Sequence, residues 1–282
     1  MSQSTAVATH RIGGRAAGQV APATVARVFV NETAKNLLTL WAYRKTLIPE
    51  LGLAAFTYLM LQFFIGGGEL VEELVPPTML AYVTYLFTYY VLLKVVSGLL
   101  EEVNTGTLEQ AHIAPLPSWA LSLSRIAAAM VQAGSLTLVV AAGFVVALDV
   151  DFPLRWQAIV TVGLTIADVA GFALLTGGIA LTVASIGAVL HVVASLMMIL
   201  NGSLVPVEAF PPWLELVARL VPGTLGIEAT RGVLFGDDSL GALWSGGDLQ
   251  WAALHAAAML LVGWATYQVN VRRGLRNGRL GP

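Results

Sequence analysis

TMLAYVTYLFTYYVLLKVVSGLL, residues 78–100, carries a single charge, Lys94, in twenty-three positions. A helix needs about 20 mostly apolar residues to cross ~30 Å of hydrocarbon, so this stretch predicts a transmembrane span. Five further runs of the same kind lie between polar or Pro/Gly breaks. They cover residues 47–65, 119–148, 156–185, 186–205 and 249–269, and the fourth and fifth spans abut near Ser185.

The totals agree with this pattern. Of 282 residues, 57% are hydrophobic and only 11% charged, against roughly a quarter charged in a water-soluble domain, and the mean hydropathy is +0.77. Too few Lys, Glu, Asp and Arg are present to cover a water-exposed surface, so lipid is the solvent for most of the chain. The chain has no cysteine, which excludes disulfides, thiolate metal sites and cysteine nucleophiles. The net charge of -2 says little about partners, and nothing in it suggests nucleic acid. In a membrane protein the placement of charge matters more than its sum.

Ten of the fifteen basic residues lie in the two tails: Arg11, Arg15, Arg27, Lys35, Arg44 and Lys45 before the first span, and Arg272, Arg273, Arg276 and Arg279 after the last. Basic flanks stay cytoplasmic, so both ends are expected inside, which requires an even number of spans. The loops expected outside hold eleven acids against Arg155, Arg219 and Arg231. Residues 1–21 lack the apolar core of a cleavable signal and read as a disordered cytoplasmic tail. Residues 22–46 read as an amphipathic interfacial helix, with Ala26, Val30, Ala34, Leu37 and Trp41 on one face. The six-span domain covers 47–270, and a basic cytoplasmic tail covers 271–282.

The second span runs into EEVNTGTLEQAHIAPLPSW, residues 101–119. Thr107-Leu-Glu-Gln110 is a capping box, in which a hydroxyl and a Gln satisfy each other's free helix-start amides. Gly106 allows a tight entry. Pro115 and Pro117 end the helix, and Ser118 can cap the third span. By itself this spacing gives a short, rigid helix at 104–116 that exposes Leu108, His112 and Ile113.

A second broken stretch, NGSLVPVEAFPPWLELVARLVPGTLGIEATRGVLFG at 201–236, holds four prolines within seventeen residues. One continuous helix is therefore forbidden. Two short re-entrant helices at 206–236 are expected, broken at Pro211/Pro212 and Pro222, with Glu228 three residues before Arg231 and so able to pair with it.

These two stretches resemble the ABC-2 type permeases, the membrane subunits of ATP-binding-cassette exporters, including the daunorubicin-resistance type. The first match rests on Glu102, Gly106, Thr107, Leu108, Glu109, Gln110, Pro115 and Pro117. The second rests on Gly202, Pro206, Pro211, Pro212, Trp213, Leu214, Pro222, Arg231 and Gly232. The resemblance implies a type V, ABCG-like exporter fold: six spans, an N-terminal interfacial helix, a cytoplasmic coupling helix and external re-entrant helices. It implies that Glu102, Gly106, Thr107, Leu108, Glu109, Gln110, His112 and Pro115 meet a nucleotide-binding subunit. It also implies that Pro206, Pro211, Trp213, Pro222, Glu228 and Arg231 cap the route externally, and that a second permease subunit, identical or homologous, completes the pathway in the cell membrane.

Any ATPase must lie elsewhere. A P-loop needs Gly-x4-Gly-Lys-Ser/Thr to hold phosphates, and the chain's three lysines, Lys35, Lys45 and Lys94, never follow a Gly. ATP and Mg would therefore sit on the partner, and no cofactor or metal is expected here. His191 and His255 are isolated in sequence, with no His-Glu-x-x-His. Asp168, near the middle of the fourth span, reads either as a substrate or proton contact or as a structural hydrogen bond between helices. Glu50 reads as a gate or packing partner, and Lys94 as snorkelling to the interface. Ala180, Ala184 and Ala188 have helix-packing spacing. The expected function is the permease half of an exporter of a drug, lipid, glycolipid or polysaccharide. The rival is an ion-coupled secondary carrier using Asp168, with a membrane enzyme behind it, and a neighbouring ATPase gene separates them.

Overall fold

The computed structural model describes residues 22–42, 44–106, 118–183, 186–203 and 205–276. The described residues are helical wherever they are regular, with no strand among them. The helices are α1 (Pro22–Ala42), α2 (Arg44–Ile65), α3 (Val75–Thr105), α4 (Ser118–Ala147), α5 (Ala158–Ala180) and α6 (Ile186–Leu200). Next come α7 (Pro212–Arg219), α8 (Thr224–Phe235), α9 (Leu240–Gly246) and α10 (Asp248–Arg276). By length and hydropathy five helical stretches can cross a membrane: Leu47–Ile65, Glu72–Thr105, Ala120–Ala147, Ala158–Ala180 and Asp248–Gly274.

Three boundaries differ from expectation. The fourth span ends at Ala180 rather than Ser185. The expected fifth span, 186–205, is helical only over the fifteen residues Ile186–Leu200, because Gly202 at φ 81 turns the chain in a conformation that a helix cannot contain. The last helix also continues through Arg276, so the first half of the expected basic tail is helical.

In lipid the backbone can only be satisfied within the chain, which is why these stretches are helices. Their hydroxyls obey the same rule. Thr88, Thr137, Thr165 and Thr176 each donate to the carbonyl four residues back, at 2.8–3.0 Å, and so enter an apolar core at little cost. The core is strongly aromatic between α2, α3 and α4. Tyr58 packs 4.6 Å from Phe144 and 5.2 Å from Tyr82, centroid to centroid. The Tyr58 hydroxyl donates to the Val75 carbonyl and the Tyr82 hydroxyl to the Ala54 carbonyl, at 2.9 and 2.8 Å. Each ring thus buries its body and spends its one donor on a main-chain carbonyl of a neighbouring helix.

The closest pairing is α5 against α10, and glycines permit it. A β-carbon at Gly171 would stand 2.4 Å from the Met259 carbonyl carbon, one at Gly263 would stand 2.0 Å from the Gly171 oxygen, and one at Gly178 would strike the Tyr267 backbone. Backbones in this proximity are the membrane form of small-residue packing. The Asn270 amide adds a 2.9 Å bond to the Gly178 carbonyl. Of the alanines with packing spacing, Ala180 is buried, Ala188 is exposed and Ala184 lies outside the described residues. Gly171 pairs with Met259 and Gly178 with Tyr267, so the two helices run in the same direction.

Candidate functional site

Two clusters of the sequence-derived residues lie at opposite ends of the bundle. At the end that carries the basic flanks, α3 stops at Gly106, whose φ of 70 is left-handed and whose N–H donates to the Val103 carbonyl at 3.2 Å. Glycine adopts that conformation without the steric cost other residues bear. One turn earlier Glu102 forms a 2.7 Å ion pair with Arg125 of α4. The bridge ties together the two helices that flank residues 107–117. Those residues, with Thr107, Leu108, Glu109, Gln110, His112 and Pro115 and the capping box among them, lie outside the described residues.

At the other end the prolines break the chain. Pro206 precedes a short 3-10 turn, Pro211 caps α7, and Pro222 sits in the turn that separates α7 from α8. Trp213 is on α7 and mostly exposed. A further short helix, α9, was not expected; Ser239 caps it by accepting from the Ala242 N–H at 3.1 Å.

Arg231 corrects the sequence reading. Its guanidinium is not held by Glu228 but donates to two main-chain carbonyls, Pro77 at 3.0 and 3.2 Å and Gly202 at 2.5 Å. The side chain therefore staples α8 to the start of α3 and to the turn after α6. Gly202 makes room for it, since a β-carbon there would come within 2.9 Å of the guanidinium. Spacing of three residues made the Glu228 pair available, but each carbonyl oxygen has two lone pairs, and two converging carbonyls suit a buried fork of five donors better.

Glu228 instead faces Arg219 at 4.0 Å, and Arg219 is engaged more closely by Glu215 at 3.0 Å. One Glu228 oxygen, Oε1, is buried without a hydrogen-bond partner among the described residues. Burial, opposed by Arg219 and assisted by Glu208, raises its pKa to about 7.

Asp168 is buried, and both of its oxygens are engaged. Oδ2 accepts the Gly223 N–H at 2.7 Å and Oδ1 meets His255 Nδ1 at 3.0 Å. His255 also hydrogen-bonds the Leu220 backbone. A pair from α5 and α10 thus grips both sides of the turn between α7 and α8. Nearby, Thr230 donates to Thr161 at 2.8 Å, and Gly226 lets α8 lie against Thr165. Of the two roles open to Asp168, this geometry is that of a structural bond between helices. His255 could not have been paired with it from sequence, since 87 residues separate them. Glu50 lies apart, exposed on α2 and hydrogen-bonded to Tyr90 of α3, while Tyr89 packs against the half-exposed Tyr85 and against His191.

No curated protein matches the chain. A family model does: that of the ABC-2 type transporter, over residues 28–235, which takes in most of α1 and everything from α2 through α8. The match covers well over half of the 282 residues and includes both clusters, and the chain therefore belongs to the ABC-2 type transporter family, as a multi-pass permease component of an ABC transporter.

Proposed function

We propose that this chain is the pathway-forming half of an exporter in the cell membrane. Two permease subunits, identical or homologous, would form the route, and two separate ATPase subunits holding ATP and Mg would drive it. The observation that carries the reading is the joint between α3 and α4. Two long spans are bridged by Glu102–Arg125 and halted at a left-handed Gly106, a rigid base from which residues 107–117 can transmit force.

In this reading the basic end is cytoplasmic, residues 104–116 are the coupling helix, and 206–236 is the external cap. The number of crossings is six. The parallel run of α5 and α10 supports a return of the chain across the bundle between them, and α6 is the helix we assign to it. Closure of the ATPases would push the coupling helices and shift the spans between inward-facing and outward-facing states, a two-state element biased by nucleotide. The cargo in this reading is a drug, lipid, glycolipid or polysaccharide, and spans rich in Ala, Val, Leu and Gly favour an amphipathic or lipid-like one.

The test is co-purification with the ATPase and measurement of assembly, ATP hydrolysis and cargo transport together. Gly106→Pro cannot adopt a φ of 70, and Leu108→Asp places a charge where an apolar contact is expected. Both variants are expected to insert and assemble but to hydrolyse ATP without transport. Normal transport in both would remove the coupling role.

A further inference from the structure

A cavity of about 720 Å³ opens at the basic end between α1, α3, α4 and α10. That is within the roughly 300–1,000 Å³ of small-molecule sites. Along α3 it extends from Thr105 to Lys94, eleven residues or about 16 Å. Its inner wall is Val95, Ile126, Ala129 and Tyr267. Gly98 also faces it, and a β-carbon there would meet nothing within 4 Å.

The lining carries three cations, Lys35, Lys94 and Arg125, and three anions, Glu32, Glu101 and Glu102. Two pairs neutralise each other: Arg125 with Glu102 at 2.7 Å and Lys35 with Glu32 at 3.9 Å. Among the described residues no ion pair reaches Lys94 or Glu101. These two lie seven residues apart along α3, about 10 Å, and both are exposed. The cavity therefore carries one anion and one cation on its exposed rim, with Gly98 between them along α3 and the buried Val95, Ile126 and Ala129 behind. A phospholipid with a primary-ammonium headgroup presents the complement: an ammonium and a phosphate for the two rim charges, and an acyl chain for the apolar wall behind them.

We propose that this cavity binds one aminophospholipid from the adjoining leaflet, with its ammonium on Glu101, its phosphate on Lys94 and a chain along Gly98 and Ala129. A basic residue in a crevice between spans is a recurring headgroup site, and the balanced charge here selects a zwitterion over an anion. If the basic end is cytoplasmic, the lipid comes from the inner leaflet; the binding chemistry does not depend on that orientation.

The test is native mass spectrometry of the full-length protein purified in detergent, titrated with phosphatidylethanolamine, phosphatidylglycerol or inorganic phosphate. Phosphatidylethanolamine is expected to give one saturable adduct, bound at least about fivefold more tightly than phosphatidylglycerol, with no adduct from phosphate. Lys94→Gln should weaken it by about fivefold or more, and Glu101→Gln should erase the preference for ethanolamine. Gly98→Leu fills the cavity without touching a charge and should abolish the adduct in protein whose thermal transition matches the parent's. Parental affinity in both Lys94→Gln and Gly98→Leu would overturn the proposal. So would inorganic phosphate competing as well as the lipid, which would make this a plain anion site.

Discussion

At the scale of single residues, the proline-rich end depends on two half-buried charged side chains with opposite fates. Arg231 makes three hydrogen bonds to the carbonyls of Pro77 and Gly202, so its loss removes a staple between three elements as well as a packing stem. Arg231→Ala is expected to cost about 3 kcal/mol of stability, since bonds to a charged donor are worth roughly 1.5–3 kcal/mol, and denaturation in mild detergent measures it. Because the partners are carbonyls, Glu228→Ala/Arg231→Ala should lose about as much as the single Arg231 change. A double mutant much more stable than Arg231→Ala would restore the ion pair. Glu228 is the converse case. Its folded pKa, about 7, lies above the unfolded value near 4.5, so the folded state binds more protons between those pH values. Its contribution is therefore fully present below pH ~4.5, falls as pH rises to ~7 and stays low above that. Glu228→Gln should raise the thermal transition clearly at pH 8 and hardly at all at pH 5; an equal effect at both would mean that the carboxyl is solvated.

Among the elements, the seam of α5 and α10 decides whether the bundle closes. A methyl at Gly263 would stand 2.0 Å from a main-chain oxygen, and backbone cannot yield as a side-chain tip can. Gly263→Ala is expected to cost about 3 kcal/mol or more by overpacking. Gly163→Ala, on the exposed side of the same α5 with nothing within 4 Å, should gain about 0.5–1 kcal/mol from helix propensity. Equal effects in the two variants would disprove the close approach. The contrast also marks what was legible in the sequence. Five of the six expected spans were legible because each is a long apolar run, and α7 and α8 because Pro211 and Pro222 forbid anything longer. Gly163, Gly171 and Gly263 look alike in sequence; only the partner helix separates them. Asp168 could be placed mid-span from hydropathy, but His255 joins it across 87 residues through tertiary packing alone. Arg231 escapes a sequence reading for a related reason: local spacing offers Glu228, whereas the carbonyls of Pro77 and Gly202 come from elements brought in by the fold.

At the scale of the whole molecule, the six-crossing reading proposed above requires the fifteen residues of α6 to serve as a crossing. An α6 of that length rises about 22 Å, short of the ~30 Å core. The chain just beyond it is sheltered from lipid, however: Asn201, Gly202 and Ser203 are buried, and Asn201 accepts from both the backbone and the hydroxyl of Ser203. Irregular backbone at membrane depth is tolerated where protein covers it. Arg231 and the Asp168–His255 grip on the next turn supply that cover, so under the proposed topology the crossing would be completed within the proline-rich end rather than by more helix. With α6 counted, six crossings would place both basic tails on one side and the eleven acids of 66–77, 149–155 and 206–248 on the other. The cysteine-free sequence makes this directly measurable. Cysteines placed singly at Ser4, Glu109 and Asp238 and treated with an impermeant maleimide in intact cells are expected to be unlabelled, unlabelled and labelled; after permeabilisation all three should react. Labelling at Glu109 in intact cells would invert the protein and detach residues 104–116 from any cytoplasmic ATPase. Labelling at Ser4 without Glu109 would mean that α2 does not cross, and protection at Asp238 would leave the proline-rich end, with its Arg231 staple and its titrating Glu228, on the wrong side to cap an outward route.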